Sequence, residues 1–354
     1  METGCSVVTA DQSILDDDGR VPYFSAERFL REIVETENCF LCARSPEETA
    51  FNDEHVIPDW ILRKFGMENE RINLPGEGSG VRYSQYKVPC CKECNTLLGE
   101  TLENPVATMV AGGYEAVVRH LREQGPRLLF VWMNLIFLKT HLKDRKHRMF
   151  RDERKPRAML SELVEWPEMH PIHCVVRTVA TGAQLEPEAF GSLLVWRAAS
   201  ESPLGDYDYA DYYPGQAMMV RLGEIVLFAV LNDAGLVLSA FAEPLKLITG
   251  PLSALQCREQ LAHLAYANTL IAERPVFHTR LGAGGMTIGA DMPSNLRTGR
   301  FEPEQFGKIL GDLFQPMWKD LPIANKEAKW EQLRAGRLTF LFGADGAFVK
   351  NAPL

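Results

Sequence analysis

Two pairs of cysteines with the same internal spacing are the residues of this chain best suited to bind a metal. Cys39 and Cys42 form one Cys-x-x-Cys pair, and Cys91 and Cys94 form the other. Such a pair can present two thiolates to one ion from a single turn, and two pairs complete the tetrahedral four-sulfur set of a structural Zn²⁺ site. Chance clustering is the alternative. Cys90 is a competing ligand, but only Cys91 keeps the two-residue spacing.

The polar residues around these cysteines occur in an order that resembles a nuclease family. Glu54 and His55 lie between the two pairs, and Asn95 directly follows the second pair. An acid–histidine pair, a second cysteine pair and a polar residue that opens a helix resemble the HNH endonucleases, in the variant braced by a four-cysteine zinc. The resemblance covers about residues 36–105. It implies a ββα-metal fold, in which a β-hairpin and a helix share one divalent ion.

The resemblance also implies a role for each polar residue. His55 matches the general base that deprotonates the attacking water, and a neutral imidazole with a pKa near 6.5 can accept a proton at pH 7. Glu54, where the family usually has Asp, and Asn95 match the ligands of a catalytic Mg²⁺ or Mn²⁺, which accepts carboxylate and amide oxygens. From residue type alone, the alternatives are a core histidine at 55 and a helix-capping asparagine at 95.

One position departs from the family's pattern. The chain has Tyr86 where the family's middle asparagine usually orients the base, and the nearby candidates to replace it are Gln85 and Asn73. The departure bears on full catalytic competence and not on the fold. The alternative function is therefore a catalytically silent, zinc-braced module that binds nucleic acid or another partner, with the principal function in the C-terminal domain.

A basic segment follows the module. Residues 139–157 contain nine basic and three acidic side chains, whereas the whole chain has a formal net charge of −9. Phosphate contacts are short-ranged in physiological salt, so local charge matters more than total charge. A solvated helix end with mixed charge is the alternative interpretation. The residues predicted to contact nucleic acid are Lys139, Lys143, Arg145, Lys146, Arg148 and Arg151.

Length and composition predict two domains, or one large elaborated domain, and no membrane segment. The chain has 354 residues, of which 46% are hydrophobic, and no apolar run approaches the roughly 20 residues needed to cross a bilayer. The polar, acidic N-terminus does not resemble a secretory signal, so the expected location is cytoplasmic. Thiols stay reduced in that compartment, which favours metal binding over disulfides.

Hydrophobic periodicity predicts an α+β fold in four parts. These are a leader with a short helix capped by Ser25 (1–35), the nuclease module (36–105), a helical and basic connection (106–160) and a larger α+β domain (161–354). Helices are predicted over 106–120, 128–142 and 253–272, the last with a capping box of Ser253 and Gln256. Strands are predicted over 172–178, 192–196, 224–230 and 236–241, with a hairpin turn at 232–235 between the last two. A second hairpin is predicted over 337–350.

The sequence therefore predicts a metal-dependent endonuclease of HNH type that hydrolyses nucleic acid, with double-stranded DNA as the expected substrate. The C-terminal domain is expected to sense, to target, to form a homo-oligomer or to bind a partner protein. This combination suits antiviral defence against foreign DNA. An interaction or scaffold protein, with its function in the C-terminal domain, is a further class that the sequence leaves open.

Overall fold

The computed structural model describes residues 7–72, 81–149, 154, 158–200, 205–282 and 284–350. They form a mixture of helices and short sheets, which confirms the α+β class. The chain divides into two compact units that alternate along the sequence. The first unit contains residues 1–107, 131–187 and 277–289, and the second contains 108–130, 188–276 and 290–354. The boundary predicted at residue 161 falls inside a segment of the first unit.

The secondary-structure elements are named here in chain order. The helices are α1 (Ala26–Phe29), α2 (Asp59–Phe65), α3 (Lys92–Leu98), α4 (Asn104–Ala111), α5 (Gly113–Gln124), α6 (Arg127–Asp144), α7 (Trp166–Thr181), α8 (Leu236–Lys246), α9 (Ala254–Thr269), α10 (Pro303–Trp318) and α11 (Lys326–Arg334). The strands are β1 (Val7–Val8), β2 (Ile14–Leu15), β3 (Glu54–His55), β4 (Lys87–Val88), β5 (Gln184–Leu185), β6 (Ser192–Arg197), β7 (Tyr207–Tyr212), β8 (Ala217–Leu222), β9 (Ile225–Val230), β10 (Val276–Gly282) and β11 (Gly285–Asp291). None of the helices in the described ranges combines the length and the apolarity that a bilayer span requires.

In the first unit, two short antiparallel strands precede a helix. Strand β3 pairs with β4, so that Glu54 lies opposite Val88 and His55 lies opposite Lys87. Helix α3 follows directly, and its first turn is capped by the Cys91 side chain, which accepts a hydrogen bond from the backbone N–H of Cys94. The hairpin and the helix are thus joined through a residue of the second cysteine pair.

Helix α6 is the predicted helix over 128–142. Its apolar residues from 129 to 138 are buried almost without exception, as expected for a helix that is hydrophobic on all sides. In the first unit, its last turns pack on the hairpin, where the Tyr86 hydroxyl donates a hydrogen bond to the Asp144 carboxylate. This contact sets the position of the helix over β4.

The prediction of a strand over 172–178 was wrong, because these residues lie in helix α7. The β-branched residues of this segment favour a strand locally. However, Met169, Ile172, His173 and Val176 are spaced as one helical stripe, and all four are buried. Tertiary packing therefore overrides the local preference.

The segment predicted as a leader is more ordered than expected. Strands β1 and β2 form a small hairpin, and Phe24 is fully buried. Its ring lies 4.2 Å from the guanidinium carbon of Arg177 and meets the His173 ring edge-on. Helix α1 begins after Ser25, whose hydroxyl accepts a hydrogen bond from Arg28 N, which confirms the predicted cap.

The second unit is built on an antiparallel sheet with the strand order β6-β9-β8-β7. Strands β6 and β9 match the predicted strands over 192–196 and 224–230. The prediction of a strand over 236–241 was wrong, since this segment belongs to helix α8. The Asp233 carboxylate accepts a hydrogen bond from Val237 N at 2.9 Å, so the predicted hairpin turn is instead the start of a helix.

Helix α9 confirms the predicted helix and its capping box, in which Ser253 and Gln256 exchange hydrogen bonds. The predicted helix over 106–120 is divided at Gly113, which has a φ of 77°. The predicted hairpin over 337–350 is reduced to one bridge, Phe342 to Phe348. Backbone hydrogen bonds from Gly343 N to Ala347 O and from Val349 N to Leu341 O flank this bridge, and the Gln256 amide of α9 donates to the carbonyl oxygens of residues 340 and 349.

Candidate functional site

The four predicted cysteine ligands converge in the first unit. The Sγ atoms of Cys39, Cys42, Cys91 and Cys94 all lie within 4.8 Å of one another. The Sγ atoms of Cys42 and Cys91 are 3.8 Å apart. A tetrahedral zinc with Zn–S bonds of about 2.3 Å separates its sulfur atoms by about 3.8 Å, so the four residues fit this ion. The cluster can therefore bind zinc.

The backbone around the cluster brings the two pairs together. The first pair lies on a tight turn, in which Ala43 N donates to Cys39 O and Ala43 has a φ of 63°. Phe40 N donates to Pro89 O, which attaches this turn to the segment that leads into the second pair. Cys90 is buried, but it does not belong to the four-sulfur group. The structure thus selects Cys91, as the spacing predicts.

Two arginines place positive charge next to the cysteines. The guanidinium of Arg44 is 3.6 Å from Cys91 Sγ and also pairs with Glu93. Arg177, on α7, donates to Val21 O at 2.5 Å, and burial lowers its pKa to about 10, while the charges of neighbouring thiols oppose that shift. Because four thiolates around Zn²⁺ carry a net negative charge, these cations stabilise an occupied cluster.

Glu54 and Asn95 meet where the hairpin joins the helix. Asn95 Nδ2 donates to Glu54 Oε2 at 3.0 Å and lies 3.3 Å from the backbone oxygen of Asp53. Glu54 is buried, whereas Asn95 is partly exposed. The structure thus brings together the two residues predicted to hold a catalytic ion, although they are 41 positions apart.

Lys139 does not lie on a nucleic-acid-binding surface, which corrects the prediction for this residue. Its side chain is completely buried, and its Nζ lies 2.8 Å from Glu54 Oε1 and 3.7 Å from Glu103 Oε1. The other carboxylate oxygen of Glu103 accepts hydrogen bonds from the indole N–H groups of Trp60 and Trp132. Burial raises the pKa of Glu103. Lys139 therefore neutralises carboxylates beneath the hairpin.

His55 lies on the more open side of the hairpin. Successive residues of a strand point to opposite faces, so the buried Glu54 faces Lys139, and His55 shares the other face with Lys87. Burial lowers the pKa of His55, and the charge of Lys87 lowers it further, against the opposing charges of Asp59 and Glu54. The imidazole is thus neutral at pH 7, which is the form that can accept a proton.

Tyr86, at the position of the family's middle asparagine, has a packing role. Its side chain is buried, its hydroxyl donates to Asp144, and its backbone oxygen accepts from Val56 N. Gln85 is exposed, and Asn73 lies outside the described residues. Tyr86 therefore contacts the residue after His55 through its backbone oxygen, while its side chain packs against α6.

The other residues of the basic segment differ in what they contact. Arg145 donates to the backbone oxygen of Thr36 at 2.7 Å, and Lys146 pairs with Glu37. The Lys143 ammonium is half-buried and forms no ion pair with any described residue. Arg148 is partly buried, and Arg151 lies outside the described residues.

Sequence reasoning missed Glu103, Arg177 and the buried position of Lys139. No local pattern marks these residues, because each acts through a contact with a distant segment. Comparison with models of protein families, with curated proteins and with solved structures finds no match to this chain.

Proposed function

We propose that the chain is a metal-dependent endonuclease of HNH type that hydrolyses phosphodiester bonds, with double-stranded DNA as its substrate. The observation that carries this proposal is the contact between Glu54 and Asn95, at 3.0 Å, next to a four-cysteine cluster. Two antiparallel strands followed by a helix support it, since this is the element order of a ββα-metal module. A role in antiviral defence remains a proposal from the combination of two units.

The residues fit a hard divalent ion. Glu54 Oε2 and the amide oxygen of Asn95 are the ligand types that Mg²⁺ and Mn²⁺ accept, with water in the other positions. The amide nitrogen of Asn95 faces Glu54 here, and rotation of the amide group by half a turn would present its oxygen instead. When bound, the ion would polarise the scissile phosphate and stabilise the leaving oxygen.

His55 would act as the base that takes the proton of the attacking water. It is neutral at pH 7 and partly exposed, so solvent can reach it. Lys139 and Asn95 each bind one oxygen of the Glu54 carboxylate, which fixes the side chain in one orientation. The cysteine cluster would hold a structural zinc with no open coordination position, so the chemistry would take place at the oxygen ligands.

One observation favours the second candidate, a catalytically silent zinc-braced binding module. The Lys139 ammonium already neutralises Glu54 at 2.8 Å, which weakens the attraction of that carboxylate for a divalent ion. In addition, Tyr86 has no side-chain amide that could orient His55. Such a module would bind nucleic acid or another molecule without cutting it.

Nicking of supercoiled plasmid DNA with Mg²⁺ or Mn²⁺ separates the two candidates. We expect the wild type to nick and the His55→Ala variant to be slower by about 10²- to 10⁴-fold, the usual contribution of a general base. His120→Ala, a partly exposed histidine on α5, is the matched control and should keep wild-type activity. Equal activity of the wild type and His55→Ala would eliminate the base, and DNA binding without nicking under any divalent ion would favour the silent module.

A further inference from the structure

We infer that Glu103 is a positioning residue that accepts the Lys139 ammonium and so frees Glu54 to bind a divalent cation. This inference rests on the proposed function and deepens it, because it names a residue that controls the affinity of a proposed ion ligand. The observation that carries it is one ammonium placed between two carboxylates. Lys139 Nζ lies 2.8 Å from Glu54 Oε1 and 3.7 Å from Glu103 Oε1.

Two indole groups hold the Glu103 side chain in place. Glu103 is buried at the end of the π-helical turn Gly99–Glu103, which directly follows α3. Its Oε2 atom accepts hydrogen bonds from Trp60 Nε1 at 3.0 Å and from Trp132 Nε1 at 3.4 Å. The indoles thus engage one carboxylate oxygen, and the other, Oε1, is the one that Lys139 approaches.

The Oε1 atom of Glu103 is buried and accepts no hydrogen bond from any described residue. Such acceptors are uncommon in native proteins, because nothing compensates for their loss of contact with water. The lysine side chain is flexible, and a shift of Lys139 Nζ by about 1 Å would bring this distance into the hydrogen-bonding range. Glu103 therefore offers the ammonium a second position within the protein interior.

Glu54 contacts Lys139 and Asn95 through different oxygens. Its Oε1 accepts from the ammonium, and its Oε2 accepts from Asn95, which is partly exposed. A cation at Oε2 would share this carboxylate with the ammonium, and the two positive charges would repel each other. Lys139 is completely buried, so it needs another carboxylate if Glu54 is to serve the cation. Glu103 can supply it without exposing a charge.

Binding of Mn²⁺ tests this role without measuring cleavage. Titration of the zinc-loaded protein, followed by electron paramagnetic resonance of the free Mn²⁺, gives the affinity. Glu103→Gln keeps an oxygen for the indoles but presents an NH₂ group to Lys139, so the ammonium stays with Glu54. We expect the Mn²⁺ affinity to fall by about 10- to 100-fold, the usual effect of changing a residue that supports a metal ligand. Glu100→Gln, at an exposed position of the same turn, is the matched control and should bind Mn²⁺ as tightly as the wild type.

The Lys139→Met background separates an effect through the lysine from an effect on packing. With the ammonium removed, the further change Glu103→Gln should no longer alter the Mn²⁺ affinity. An equal loss of affinity in both backgrounds would show that Glu103 acts through packing, and the inference would be wrong.

Urea unfolding without Mn²⁺ tests the shared ammonium independently of the proposed function. Glu54→Gln and Glu103→Gln each leave one carboxylate beside Lys139, whereas the double variant leaves a buried ammonium with neither. The fall in the unfolding midpoint of the double variant should therefore exceed the sum of the two single falls. Additive falls would overturn the inference. This comparison also decides the matter if Lys139→Met fails to fold.

The outcomes distinguish this inference from the proposed function. Wild-type protein that binds Mn²⁺ and nicks DNA, together with a Glu103→Gln variant of unchanged Mn²⁺ affinity, would overturn the role of Glu103 and leave the nuclease standing. Wild-type protein that neither binds Mn²⁺ nor nicks DNA would overturn both, whatever the urea comparison shows.

Discussion

Glu54 in the first unit and Glu259 and Asp233 in the second are buried carboxylates that differ in whether backbone N–H groups bind them. In the second unit, Glu259 accepts hydrogen bonds from the backbone N–H groups of Phe340 and Leu341 and from the Thr339 hydroxyl. Asp233 accepts them from the backbone N–H groups of Ser192 and Val237 and from the Ser192 hydroxyl. In the first unit, Glu54 is held by two side chains, the Lys139 ammonium and the Asn95 amide.

This difference separates a structural role from a candidate functional one. Backbone N–H groups are fixed once the chain has folded, so Glu259 and Asp233 serve to attach one segment of the second unit to another. Side-chain partners can rotate or exchange, and Asn95 can present either a donor or an acceptor. A buried carboxylate such as Glu54, whose partners among the described residues are side chains, therefore indicates where a ligand could replace an internal contact.

The largest expected effect concerns the cysteine cluster, which has no counterpart among the described residues of the second unit. Cys39→Ser should release zinc and unfold the first unit, since structural zinc contributes about 10 kcal/mol or more of apparent folding free energy. Zinc per chain by elemental analysis measures this. Cys257→Ala, at a buried thiol of α9, is the control and should retain full zinc content. Full zinc in Cys39→Ser would contradict the four-sulfur site.

The second largest expected effect compares the stability that the partners of Glu54 and of Glu259 contribute. Lys139→Met leaves Glu54 without its buried counter-ion and should lower the free energy of unfolding by about 3–5 kcal/mol. Glu259→Gln keeps one acceptor oxygen for the backbone and should cost only about 1–2 kcal/mol. Urea unfolding measures both.

The double variant Lys139→Met, Glu54→Gln tests the reason for that cost. With both charges removed, it should recover part of the stability that Lys139→Met loses. If the double variant were no more stable than Lys139→Met, loss of packing rather than an unpaired charge would explain the effect.

The smallest expected effect is the pH dependence of the stability of the first unit. Burial holds the pKa of His173 well below its usual value, so this residue is neutral in the folded protein but takes up a proton in the unfolded chain below pH 6.5. Its contribution to stability is therefore present above pH 6.5 and is lost as the pH falls, by up to about 1.4 kcal/mol per pH unit.

Urea unfolding at pH 7, 6 and 5 measures this dependence. His173→Gln can still donate to Phe40 O, which the imidazole contacts at 3.1 Å, and should give a flatter profile than the wild type. Parallel profiles for the two proteins would show that His173 does not contribute.

Local features explain what the sequence predicts correctly. The spacing of the cysteines identifies the four members of the cluster. Each Cys-x-x-Cys pair spans only four consecutive residues, so a short stretch of sequence is enough to recognise it. The capping signals of α1 and α9 are equally local. Helix α6 is predicted from its length and apolarity, although the polar residues Lys139, Thr140, His141 and Asp144 near its C-terminal end are also buried.

Contacts between distant segments explain what the sequence does not predict. The basic segment around Lys139 predicts a surface cation. The residue is buried instead, because it pairs with Glu54, which is 85 positions away. The β-branched residues of α7 favour a strand until they are packed as a helical stripe in the first unit. At α8, one carboxylate, Asp233, turns a predicted hairpin into a helix start. In each case the decisive interaction is not visible within a short window of sequence.

The interleaved course of the chain has a consequence for biosynthesis. A ribosome that has just translated residue 105 has already made every cysteine of the cluster and the acid, imidazole and amide of the proposed active site. It has not yet made Lys139, His173 or Arg177, which neutralise or cover those groups in the folded first unit. The nascent chain therefore carries an incompletely enclosed metal-binding segment until the remaining segments of the first unit, 131–187 and 277–289, have left the exit tunnel.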